Sequence, residues 1–92
     1  MGRTLIKLGG KSGGHVIGSR ALVWLRMNRL EDSLSDLDAV LLQNPALGPN
    51  HFLRALVLKR LGRGADAIHE LAIARRLAPE TESDYARFGL TF

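Results

Sequence analysis

Ninety-two residues without a cysteine make one small domain, whose core has to stand without disulfides or thiolate-bound metal. With 46% apolar and 24% charged residues the chain reads as globular; no apolar run approaches the roughly 18 residues of a membrane helix or the continuous core of a signal peptide. Thirteen Lys and Arg, ten of them Arg, against nine Asp and Glu leave a net charge of +4, which admits acidic peptides, nucleic acid or anionic lipid as partners. A soluble, cytoplasmic protein that does not enter membranes is the default expectation.

Residues 1–14, MGRTLIKLGGKSGG, hold five of the ten glycines. Glycine this dense costs too much backbone entropy for a helix, so the stretch reads as a flexible, Gly-rich basic tail, with Thr4–Leu8 able to form a short edge strand. Its GGKS contains the Gly-Lys-Ser end of a phosphate-binding loop, and TLIKLGGK is similar to the opening of amino acid kinases. The loop lacks its earlier Gly, Leu5 standing there, and neither resemblance is followed by enough chain for a parallel sheet.

From His15 to Asn28 the apolar residues Val16, Ile17, Ala21, Leu22, Trp24, Leu25 and Met27 cover most sides of a helix, which implies neighbours on two sides. A second helix carries Leu30, Leu34, Leu37 and Leu41, with Glu31 and Asp32 at its positive end, and stops at Asn44-Pro45. Pro49 opens a third, apolar nearly all round through Leu61, and Gly62 stops it. A fourth spans about Ala65 to Ala78 and is ended by Pro79. Thr81 can cap a fifth, with Asp84 completing a capping box and Tyr85, Phe88 and Phe92 along it.

Arg20 to Pro45 aligns on Arg54 to Pro79 at an offset of 34 residues without a gap, and nine of the 26 positions are identical. Composition alone gives about two or three. A 34-residue, two-helix unit closed by proline resembles the tetratricopeptide repeat. Ala21 and Ala55 match the small residue of its first helix, with Trp24 and Leu58 the large residue three further on. Ser33 and Ala67 match the small residue of the second helix, Leu37 and Leu71 the bulky one four later, and Pro45 and Pro79 the terminator. Leu61-Gly62-Arg63 keeps the family's turn, and Met27-Asn28-Arg29 alters it. One period on, Tyr85-x2-Phe88-Gly89-x2-Phe92 falls on W-x2-L-G-x2-Y. Arg20 and Arg54 depart from the family's apolar residue and are expected to face outward or snorkel.

The resemblance implies an all-α, right-handed helix-turn-helix solenoid of five helices: repeats at 15–47 and 48–81 and a terminal helix at 82–92. It also implies that the first helix of each repeat lines a concave groove. Leu22, Leu25 and Arg26 from one repeat and Phe52, Leu56, Lys59 and Arg60 from the next would look into it. An apolar floor with basic heads suits an acidic, apolar-studded peptide or partner helix. Leu22 and Leu56 stand where chaperone-binding relatives place asparagines, so no clamp for chaperone tails is expected. Tyr85, Phe88 and Phe92 would either cap the fourth helix or carry self-association, a homodimer included.

Catalytic chemistry finds no constellation. His15, His51 and His69 lack metal-ligand spacing and read as surface or partly packed; Ser33 and Ser35 lack a nucleophile elbow; Glu31, Asp32, Asp36 and Asp38 read as a solvated helix face. No metal, cofactor or enzymatic activity is expected. The leading function is a non-enzymatic adaptor or scaffold that binds protein. The alternatives are nonspecific nucleic-acid binding through the Arg-rich surface, for which interleaved aromatics are missing, or a repeat excerpt of a larger enzyme or regulator.

Overall fold

The computed structural model describes residues 13–92, with side chains from Arg20 onward; the residues 1–12 read as most of the tail lie outside it. The described residues form five helices and no strand: α1 (Gly13–Arg26), α2 (Leu30–Gln43), α3 (Gly48–Arg60), α4 (Gly64–Leu77) and α5 (Thr81–Ala86). Gly13 and Gly14, assigned to the tail from sequence, belong to the first turn of α1.

The two long turns are built alike. After α1, the amides of Asn28 and Arg29 donate to the carbonyls of Leu25 and Trp24 at 3.0 and 2.8 Å. After α3, those of Gly62 and Arg63 reach Lys59 and Leu58 at 3.1 and 2.9 Å. This paired closure needs a left-handed residue, and Asn28 (φ 62°) and Gly62 (φ 83°) supply it. Asn tolerates that conformation better than most side chains, which is why the altered turn works. Helices α2 and α4 end differently: Asn44 and Ala78 are extended at φ −143° and −150°, as a following proline requires.

Helix α3 is the one helix that touches all four others among the described residues, and Phe52, Leu53, Ala55, Leu56, Val57 and Leu58 are all buried. Its all-round apolarity follows from that position. Helix α1 touches only α2 and α3, so Val23 is 51% exposed where its repeat counterpart Val57 is fully buried. Ala21, Ser33, Ala55 and Ala67, the small residues of the two hairpins, are each completely buried, and the Ser33 hydroxyl donates to the Ala21 carbonyl at 2.8 Å. Gly48 is equally constrained: a Cβ there would lie 2.6 Å from that of Ala78.

The expected helix at 82–92 is instead six residues long. Glu80, not Thr81, stands at its N-cap, without a side-chain cap bond, and Thr81 is buried. Gly89 adopts φ 79°, with its amide bonded to Ala86 and that of Leu90 to Tyr85 at 3.0 and 3.1 Å. By repeat position Gly89 matches Ala21 and Ala55 inside their helices. Here it takes the backbone conformation that ends a helix, and the chain turns back over α3.

Candidate interaction face

Phe52, Leu56 and Lys59 recur at intervals of four and three along α3, so they share one face, and Arg60 stands beside them. Leu22, Leu25 and Arg26 hold the matching positions on α1. Phe52 (1% exposed), Leu25 (1%) and Leu56 (2%) belong to the main core cluster, with Leu22 half-buried against it. The apolar floor expected from sequence is thus covered, and the cover is the chain's own segment from Tyr85 to Phe92.

Five contacts fix that segment. The Tyr85 ring stacks, tilted by 31°, on Phe52 with centroids 5.5 Å apart. Leu90 is buried in the same cluster as Leu25, Phe52 and Leu56. The Lys59 ammonium donates to the Phe92 main-chain oxygen and lies 4.5 Å from the centre of the Phe92 ring. The Arg26 guanidinium makes a long, 3.4 Å hydrogen bond to the Phe88 carbonyl. Burial, and secondarily the neighbouring Asp84, raise the Tyr85 hydroxyl above its ordinary pKa, so it stays protonated through the neutral range. Of the three aromatics considered for self-association, Tyr85 and Phe92 pack inward and Phe88 is 63% exposed. Arg60 is exposed and has no side-chain hydrogen bond or ion pair among the described residues.

A polar ladder on the other helix faces was not foreseen as a unit. Arg20 grips Asp36 with two hydrogen bonds of 2.7 Å, and the Trp24 indole N–H adds a third at 2.9 Å. One repeat on, Arg54 Nη1 donates to Glu70 at 2.8 Å while its Nε donates to Asp38 at 2.7 Å. Glu70 also faces His51 Nδ1 at 2.6 Å, and His51 Nε2 donates to the Pro45 carbonyl at 2.7 Å. Both ring nitrogens are therefore engaged, one by a carboxylate and one by a main-chain carbonyl. The reading of His51 as a surface or partly packed residue is corrected: it is 8% exposed, with the Glu70 carboxylate and the Pro45 carbonyl against its two ring nitrogens. Asp36 likewise is no solvated acid, its side chain being 12% exposed. The pairs Arg20/Asp36 and Arg54/Glu70, 16 residues apart and both carried by the 34-residue period, were the available signal for this ladder.

The Asp36 carboxyl is held below the ordinary carboxylate range by the Arg20 hydrogen bond first, with burial opposing it and the Arg20 charge and Trp24 assisting. A depressed folded value means stability that is present above the unfolded pKa and is lost as pH falls through the folded one. Asp36→Asn is therefore expected to cost about 1–2 kcal/mol at pH 7, with a discount for the exposed Arg20 partner, and less at pH 2. Urea unfolding at both values checks this; an equal cost at both would detach Asp36 from the acid response. Glu82, bonded to Arg75 at 2.9 and 3.0 Å, is lowered in the same direction.

Among the described residues no three His, Asp or Glu gather as metal ligands, and no helix is long and apolar enough to cross a membrane. Compared with known proteins, the chain matches no family model, no curated sequence and no solved structure.

Proposed function

We propose that the chain is a tetratricopeptide-like protein-binding module, a right-handed stack of helical hairpins whose α1/α3 face takes an extended segment of a partner. The observation that carries this reading is that Arg26 and Lys59 bond to main-chain oxygens of the segment 85–92 while Leu25, Phe52 and Leu56 share one core cluster with its Leu90. Backbone carbonyls meet cationic side chains there, and apolar side chains meet the floor. Such a face recognises main chain by charge-assisted hydrogen bonds and side chains by burial, the division of labour that peptide-binding surfaces use. Arg60, exposed and unengaged among the described residues, is placed to meet a carboxylate of the ligand.

Nucleic-acid binding is the weaker reading. Arg20, Arg29, Arg54, Arg63 and Arg75 each pair with a carboxylate within the domain, so half of the arginines are committed internally. A displayed random-peptide library selected on the immobilised protein tests the proposal. The wild type is expected to enrich apolar segments bearing Asp or Glu. The double variant Arg26→Glu, Arg60→Glu is expected to lose that enrichment by tenfold or more with its circular dichroism unchanged. Enrichment that survives the charge reversals would refute the face.

A further inference from the structure

Helix α5 has only six residues, and everything after Ala86 is held by the turn at Gly89 and by side chains already named on α1 and α3. Leu90 supplies the buried aliphatic group; Phe92, two residues on, supplies an aromatic ring beneath the Lys59 ammonium. Phe88 and Phe92 supply the main-chain oxygens that Arg26 and Lys59 read. Leu90 and Phe92 both pack against the face, whereas Thr91 between them is exposed.

We infer that residues 87–92 occupy the α1/α3 face as a tethered stand-in for an external ligand, and that this ligand is an extended segment carrying an aliphatic and an aromatic residue two positions apart. The inference rests on the peptide-binding reading above and adds to it both a sequence pattern and a competitor. A partner segment binds by displacing the tethered one, with Gly89 as the pivot. The tether sets how hard that displacement is: a segment joined by a short stretch of chain competes at an effective concentration of about millimolar. A free peptide of the same pattern binds only as often as the tethered copy has left.

The test uses the full chain and an acetylated, amidated, fluorescently labelled peptide of residues 87–92, RFGLTF. Release of the segment by Leu90→Ala with Phe92→Ala is expected to tighten peptide binding about tenfold or more over the wild type, read by anisotropy. Adding Lys59→Glu is expected to abolish it. Equal affinity of wild type and released chain overturns the inference and leaves the peptide-binding reading standing. So does a failure of both to bind this peptide while library-selected segments still bind through Arg26 and Arg60. Loss of both kinds of binding overturns the peptide-binding reading and the inference with it. Should the two alanines unfold the domain, the wild type alone decides. Saturating peptide is expected to speed amide exchange at Gly89 and Leu90 at least tenfold, since displacement frees their bonds to Ala86 and Tyr85. Unchanged exchange under saturation overturns the inference.

Discussion

Glu70→Leu is expected to lower the unfolding free energy by about 3 kcal/mol at pH 7, the low end of the cost of breaking a buried ion pair. Glu70 is 8% exposed and is hydrogen-bonded to both His51 and Arg54. Removing it strands the Nδ1 side of a buried imidazole and one arm of a guanidinium. Arg54 keeps Asp38, and this places the loss at the lower end rather than the upper. For a domain of this size the melting temperature should fall by roughly 12–24 °C. The companion variant His51→Leu, Glu70→Leu removes both partners of the tightest pair and should recover part of the loss, because apolar replacement of a buried pair is often neutral. Thermal and urea unfolding of wild type, both single variants and the double variant give the coupling energy directly. A Glu70→Leu protein within about 1 kcal/mol of wild type would remove the ladder from any account of stability.

Phe52→Ala is expected to cost about 3–5 kcal/mol, the usual range for deleting a buried aromatic side chain. Phe52 is 1% exposed and is the largest fully buried side chain, so little of the resulting cavity can be filled from solvent. The loss also has a place. Tyr85 stacks on this ring, so its removal should loosen residues 85–92 before it loosens the α1–α2 hairpin. Hydrogen exchange should register faster amides at Gly89 and Leu90, with those of α1 and α2 near their wild-type values relative to global stability. Uniform acceleration throughout the domain would mean that the covering segment has no separate hold on the face.

Much of the helical outline was legible in the sequence because it rests on local rules. Gly62 and Asn28 permit a left-handed residue, Pro45 and Pro79 force the preceding residue into extended backbone, and apolar spacing marks the buried faces. The 34-residue offset also carried real information, since small residues at matching positions, Ala21 with Ala55 and Ser33 with Ala67, are buried alike. The shortening of the last helix was not legible. Glycine fits both the crowded middle of a helix and a left-handed terminus, and the repeat pattern favoured the first role for Gly89 where the structure has the second.

The candidate face divides the same way. Helical spacing placed Phe52, Leu56 and Lys59 together, but nothing local to α1 or α3 says that Leu90 and Phe92 lie across them. That contact joins residues more than 30 positions apart and depends on a backbone reversal. His51 was misread for a related reason: its two hydrogen-bond partners come from the loop before α3 and from α4, and neither belongs to its own helix.

Arg54 bonds at once to Asp38 on α2 and to Glu70 on α4, and so links the second helix of each hairpin through the first helix of the later one. In an array of repeats, cooperativity is set by the ratio of such nearest-neighbour terms to the intrinsic stability of each unit. If the α1–α2 hairpin melts, Arg54 loses Asp38, one of its two carboxylate partners, and the α3–α4 hairpin is weakened by the same event. The two hairpins should therefore unfold in a single transition, and neutralising Asp38 should be the change that begins to separate them.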